Sequence, residues 1–183
     1  MRIVAGRHKG RRLAAPDGRD TRPTADRARQ ALFDVLAHSD RVELDGALVV
    51  DAFAGSGALG LEALSRGAAR ACFLETGAPA LAALRANIAA LGEEAAATVL
   101  RADATRPPPA PAACTLALLD PPYGKGLAEP TLTALAQAGW LADGALAVVE
   151  LAAADPFIPP PGFETVDERR WGAARVMFAV YAK

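Results

Sequence analysis

Apolar positions along this chain switch repeatedly between two periods, and the switching predicts an order of elements. Residues 48–53 form a short apolar run with β-branched side chains, the pattern of a strand buried on both faces. Leu59, Leu61, Ala63 and Leu64 follow as an apolar helix face that stops at Gly67, a C-cap residue. Residues 70–75 read as a second strand. Leu81, Leu84, Ile88 and Leu91 then line one side of a helix that Pro79 opens and Gly92 closes. Residues 98–103 and 116–120 are a third and a fourth strand, 127–138 a helix despite Pro130, and 145–151 a fifth strand. Residues 163–170 and 175–182 read as a closing antiparallel pair turned through Trp171-Gly172. Strands alternating with helices predict an α/β fold, a doubly wound and mostly parallel sheet.

Ahead of this frame lies a different kind of sequence. Residues 2–6 and 11–15 flank Arg7-His8-Lys9-Gly10, which predicts a small hairpin with a basic turn. Pro16-Asp17-Gly18 is a turn signal. Thr24 is then a suitable N-cap, Asp26 suits the positive end of the helix, and Ala28, Ala31, Leu32, Val35 and Leu36 supply its apolar face. Between the third and fourth strands, Arg106-Pro107-Pro108-Pro109-Ala110-Pro111 fits neither helix nor central strand and predicts a stiff loop.

Composition narrows the class. The chain has 183 residues, enough for one domain with a modest appendage. No run is long and apolar enough to predict a membrane span, and residues 1–7 lack the apolar stretch of an export signal. Cys72 and Cys114 both fall in strand-like apolar runs, so buried thiols in a reducing cytoplasm are expected. The net charge of −1 hides an asymmetry. Residues 1–30 hold nine basic against three acidic residues, a net of +6, and the remainder carries −7. A basic end on an acidic body is the pattern of a polyanion-binding arm, here Arg2, Arg7, His8, Lys9, Arg11 and Arg12.

The strand and helix at 48–67 enclose Ala52-Phe53-Ala54-Gly55-Ser56-Gly57-Ala58-Leu59-Gly60, with glycines at G-x-G-x-x-G spacing. Alone, this turn is shared with dinucleotide-binding dehydrogenases. Asp51, Glu75, Asp103 and Asp120 lie in or at the ends of four successive strands, however, so a parallel sheet brings them to one edge. A pyrophosphate would be repelled there. A ligand with a sulfonium, an ammonium, ribose hydroxyls and an adenine amine would find acceptors, and that inventory is S-adenosylmethionine. Glu75 stands where a carboxylate holds ribose hydroxyls, and Asp103 is placed for the adenine edge.

Asp120-Pro121-Pro122-Tyr123 carries the sharpest chemistry. Methyl transfer to an exocyclic base amine is slow because the nitrogen lone pair is delocalised into the ring. Asp120 and the Pro121 carbonyl can both accept from the amine and turn that lone pair outward. The prolines stiffen the turn, and Tyr123 offers a face to a flipped base. Physical reasoning alone stops at a methyltransferase acting on a nucleic-acid amine. A DNA adenine-N6 enzyme, a non-catalytic RNA-binding assembly factor of the same fold and a dehydrogenase are its rivals.

The glycine turn with Asp120-Pro121-Pro122-Tyr123 resembles the class I amino-methyltransferases of nucleic acids. Residues 1–6 with their basic turn, 21–29 and 60–68 narrow the resemblance to the RsmD-type 16S rRNA guanine-N2 methyltransferases, over essentially the whole chain. The resemblance implies a Rossmann-like seven-stranded sheet with S-adenosylmethionine as donor. The substrate it implies is one guanine of the 16S rRNA in an assembled or nearly assembled small subunit. It assigns Asp120, Pro121, Pro122 and Tyr123 to the base. To the donor it assigns Arg22, Thr24, Asp51, Phe53, Gly55, Ser56, Gly57, Glu75, Asp103 and Ala104, with Arg22, Pro23 and Thr24 over the methionine end. The expected division is a basic arm over 1–23 and a catalytic domain over 24–183, acting as a monomer with neither metal nor membrane. The Pro/Ala stretch at 107–113 departs from the family's usual shape.

Overall fold

The computed structural model describes residues 1–16 and 23–183. Its elements are α1 (Pro23–Ala37), β1 (Leu48–Ala52), α2 (Ala58–Ser65), β2 (Arg70–Glu75), α3 (Ala78–Leu91), β3 (Ala97–Arg101), β4 (Cys114–Leu119), α4 (Ala128–Gln137), β5 (Leu141–Ala152), β6 (Phe163–Trp171) and β7 (Ala174–Tyr181). All seven strands share one sheet in the order β3-β2-β1-β4-β5-β7-β6. The first five pair in parallel, and β7 runs antiparallel between β5 and β6. This is the α/β sheet expected from the apolar pattern, with the order reversing at β1 and β4.

Alternation along the strands divides the interior in two. Val49, Phe73, Leu118 and Val148 face a core closed by Phe33, Leu36, Leu61, Leu64 and Leu84 of α1, α2 and α3. Val50, Leu74, Leu119 and Val149 face the other core, closed by Leu132 and Leu135 of α4 and by Trp140. The proline-rich loop at 107–113 lies on this second side. The Trp140 indole donates to the Pro108 carbonyl (2.8 Å), and the Ala110 amide donates to Ala138 (3.0 Å). Pro130 is the third residue of α4, where the missing N–H has no intrahelical partner to lose.

Two local expectations are corrected, the N-cap of α1 and the end of β1, and a third is met in the N-terminal segment. The small N-terminal hairpin is present: Arg2 bridges Arg12 in antiparallel fashion, the Ile3 amide donates to Arg11 (2.9 Å) and the Leu13 amide to Met1 (3.1 Å), and the pair folds onto the body. Ile3 and Leu13 are buried in the first core. Gly6 permits this docking: its φ is +77°, and a Cβ there would lie 1.9 Å from the Ser65 carbonyl oxygen. Helix α1 begins at Pro23, so Thr24 sits in its first turn and is not the N-cap; proline's fixed φ is pre-organised for that first position. Phe53 has left β1 and adopts a φ of +64°, a strained value for a non-glycine residue and one concentrated at functional sites.

Candidate active site

The site begins with the turn after β1. Asp51 is buried, and its Oδ2 accepts from the Gly60 amide at 2.8 Å, tying strand to helix. Gly60 is needed for that approach, since a Cβ would come within 2.3 Å of the Phe73 ring. Burial pushes the Asp51 carboxyl up to about 7. The Gly60 hydrogen bond opposes the rise and the Glu75 charge adds to it.

Glu75, at the end of β2, grips the glycine turn from the neighbouring strand. Its Oε2 accepts from the Gly55 amide (2.8 Å), and its Oε1 accepts from the amides of Thr76 (2.8 Å) and Gly77 (2.7 Å). Asp103 lies two residues beyond β3 and is exposed. The Thr105 hydroxyl and amide donate to its Oδ1 and hold the carboxyl below its ordinary value. Ser56 is buried, Ala104 belongs to the second core, and Phe53 packs partly buried against that core. Arg22 lies outside the described residues, and Thr24 is described only as part of α1.

A second group gathers at the carboxyl end of β4, against β5. Leu119 pairs with Val149, so Asp120, just past β4, stands beside Glu150, which is still within β5 and paired with Val176 of β7. The Tyr123 hydroxyl donates to Glu150 Oε1 at 2.6 Å, and the Gly124 amide donates to Asp155 Oδ2 at 2.9 Å. Pro121, Pro122, Tyr123, Glu129, Glu150 and Asp155 are among the residues lining a cleft of about 300 Å³. Asp120 meets solvent at the open end of its strand, yet protein crowds it on the other sides. That crowding, followed by the charges of Glu150 and Asp51, pushes its carboxyl upward. Burial and the Glu150 carboxylate likewise push the Tyr123 hydroxyl up.

The sheet therefore brings Asp51, Glu75 and Asp120 to one edge, with Asp103 just beyond it. Residues the sequence reading passed over complete the arrangement. Glu150 lies near the carboxyl end of β5, two residues short of its last one, so a search for acids in or near strand ends would have found it. Asn87 interrupts the Leu84–Ile88–Leu91 stripe. Buried, it donates to the carbonyls of Ala14 (3.0 Å) and Ser56 (2.9 Å) and accepts from the Ala14 amide (2.7 Å). It thus ties the N-terminal segment to the glycine turn.

The N-terminal basic residues divide into two sets. Arg7 makes two hydrogen bonds to Glu93 (2.8 and 2.9 Å), His8 Nε2 lies 2.5 Å from the same carboxylate, and Arg11 donates to the Ala90 carbonyl. Lys9 and Arg12 project exposed from the segment. Beneath it, buried Glu62 accepts from the Val4 (2.8 Å) and Ala5 (3.0 Å) amides and from Arg66 Nε (2.8 Å).

Sheet order, glycine turn and acidic strand ends define the class I methyltransferase fold. The structure of the Escherichia coli protein named Putative methyltransferase yhhF is 35% identical and superposes with a TM-score of 0.84 over 100% of this chain and 98% of its own. The chain belongs to the family described as Conserved hypothetical protein 95, whose model matches residues 1–180. Among its relatives, the ribosomal RNA small subunit methyltransferase D of Escherichia coli is 42% identical over 157 residues, 82% of this chain and 74% of that protein. The Haemophilus influenzae protein of the same name is 33% identical over 177 residues, 94% and 89% of the two chains. Among the described residues no helix is long and apolar enough to cross a membrane, and no group of metal-ligating side chains forms.

Proposed function

We propose that this protein transfers a methyl group from S-adenosylmethionine to the N2 amine of one guanine in small-subunit rRNA, as a cytoplasmic monomer. The observation that carries the reading is the Asp120–Tyr123 turn beside a glycine turn held by Glu75, in a chain whose relatives are named rRNA methyltransferases. The donor's chemistry fits the residues present. Three backbone amides occupy Glu75, and a carboxylate offers about four acceptor positions, so room remains for a ribose hydroxyl. The second oxygen of Asp103, whose carboxyl Thr105 holds below its ordinary value, adds negative potential suited to a cation. Gly55, Ser56, Gly57, Phe53 and Ala104 would complete the donor's surroundings, with Arg22 and Thr24 at the methionine end.

When bound, the donor supplies an electrophilic methyl on a positively charged sulfur. The protein's task is alignment. Asp120 and the Pro121 carbonyl accept from the amine hydrogens and aim the nitrogen lone pair; Tyr123 supports the base; Pro121 and Pro122 keep both acceptors still. The alkylated amine is strongly acidic, so its proton can leave to Asp120, the Pro121 carbonyl or water. Asp120 therefore orients the amine and is not an obligatory base. Residues 1–23 form an arm for rRNA phosphates, with Lys9 and Arg12 the exposed contacts of its described part and Arg2, Arg7, His8 and Arg11 shaping it.

Tritium transfer from labelled S-adenosylmethionine to undermethylated small subunits, naked rRNA and duplex DNA tests the reading in one experiment. Label confined to guanine N2 of small subunits is expected. Label on DNA adenine, or on no nucleic acid, would overturn it.

A further inference from the structure

The cleft beside Asp120 has an unusual hydrogen-bonding character. Its side chains offer carboxylates from Glu129, Glu150 and Asp155. Two of these are already engaged by backbone: Asp155 by the Gly124 amide, and Glu129 by the Ile158 amide at 3.3 Å. Its one side-chain donor, the Tyr123 hydroxyl, is spent on Glu150 Oε1. Pro121, Pro122 and Pro156 have no N–H to give. Among the described residues, neither oxygen of Asp120 nor Oε2 of Glu150 takes a hydrogen bond. Adjacent parallel strands lie roughly 5 Å apart and Leu119 pairs with Val149, so Asp120 stands next to Glu150, which lines the cleft.

Base edges differ in what they offer such a pair. Guanine presents two adjoining donors, the N1–H and the N2 amine. Adenine presents its N6 amine beside the bare N1 acceptor, and cytosine its N4 amine beside the bare N3. An unprotonated ring nitrogen aimed at a carboxylate meets lone pair against lone pair and finds no donor nearby. We infer that Glu150 is the specificity-determining residue of this site, its free oxygen accepting from the guanine N1–H while Asp120 accepts from the adjoining N2 amine. The assignment rests on the base-methylation reading above and deepens it, since it gives a physical reason for guanine over adenine. Tyr123 acts through Glu150: its hydroxyl holds one oxygen and leaves the other for the base.

A base analogue separates this role from a structural one. 2-Aminopurine keeps the N2 amine but has a bare N1. Small subunits are reconstituted with rRNA carrying guanine or 2-aminopurine at the target position, and single-turnover methyl transfer is measured at saturating donor. Wild type should prefer guanine by about tenfold or more, as sites built to bond a polar group reject the analogue lacking it. Glu150→Gln keeps an oxygen for Tyr123 and can turn its NH₂ toward the bare N1. Guanine should slow, 2-aminopurine should accelerate, and the preference should fall about tenfold or reverse. Glu150→Ala should lose the preference without favouring the analogue. Binding of S-adenosylhomocysteine, unchanged in both variants, establishes that they fold.

An unaltered preference in Glu150→Gln would overturn the inference while wild-type guanine methylation leaves the parent reading intact. Loss of both substrates by a variant that still binds S-adenosylhomocysteine would also overturn it, since reading N1 would not be the residue's task. A wild-type enzyme that methylates neither base would sink the parent reading and this inference together.

Discussion

Glu75→Ala removes more than a ligand contact, and the size of its effect follows from what the carboxylate holds. Its oxygens accept three backbone amides, those of Gly55, Thr76 and Gly77. Thr76 is exposed, and Gly55 and Gly77 are half-buried, so water can replace much of what is lost to the free protein. The folding cost is therefore expected near about 1 kcal/mol, at the low end for bonds to a charged group. Donor affinity should suffer more. The ribose acceptor is gone, and the Gly55 turn, no longer pinned to β2, must be ordered by the ligand itself. Together these predict a loss of about 1–3 kcal/mol, roughly five- to 150-fold in the dissociation constant of S-adenosylhomocysteine. Glu75→Gln is the sharper variant. Its single carbonyl oxygen can serve Gly55 or the Thr76–Gly77 pair, and its NH₂ then faces an N–H on the other side. Its affinity should lie near that of Ala despite the conserved shape. Titration calorimetry, paired with urea unfolding to separate the two costs, measures both. An Ala variant binding within about twofold of wild type, or a Gln variant equal to it, would refute the reasoning.

Three further outcomes are expected. Burial raises Asp51 to about 7 from 3.8, so its contribution to stability is fullest below the lower value and fades as pH rises between the two. Asp51→Asn should remove that decline and gain about 1–2 kcal/mol at alkaline pH in urea titrations; an unchanged pH profile would contradict it. Lys9→Ala with Arg12→Ala should weaken small-subunit binding and lower its salt slope by roughly two, without altering S-adenosylhomocysteine affinity; an unaltered slope would make the arm a bystander. Asp120→Asn should retain trace methyl transfer and Asp120→Ala less. The wild-type rate should fall as acidity protonates the raised Asp120 carboxyl, and an Asn variant as inactive as Ala would argue for a true general base.

The order of elements was readable because period-2 and helical stretches are separated by glycine and proline in the positions those residues favour. The αL C-cap at Gly92 and the strand at 70–75 match their expected places. Tertiary contact was not readable in the same way. The N-terminal hairpin forms as expected, but its docking on α2 depends on Glu62 and Ser65, residues nearly sixty positions away, which no local window includes. The acids at strand ends were visible because a parallel sheet collects carboxyl ends on one edge. Glu150 lies near the carboxyl end of β5, but its partner Tyr123 is 27 residues distant and becomes its neighbour only when β4 and β5 pair. Arg7 and His8 read as free basic charge because Glu93, which they grip, sits beyond the end of α3 in a stretch with no motif of its own.

The distribution of charge has a consequence for how a nucleic acid can approach. The edge formed by Asp51, Glu75, Asp120 and Glu150 repels phosphate; burial chiefly, and the neighbouring carboxylates to a lesser degree, push Asp51 and Asp120 upward. Exposed positive charge is gathered on the N-terminal segment, on Arg2, Arg7, Lys9, Arg11 and Arg12, with Lys125 following the Tyr123 turn. A polynucleotide lying flat across the cleft would bring its backbone against carboxylates, whereas a single base turned out of the strand presents only ring and amine. On the proposed reading, the protein holds the backbone with its arm and admits a base at its edge. Extrusion of the base costs a few kcal/mol in general and least where the nucleotide is already unpaired. The acidity of the cleft thus favours both the donor-rich edge of guanine and the extruded geometry that lets the edge reach Asp120.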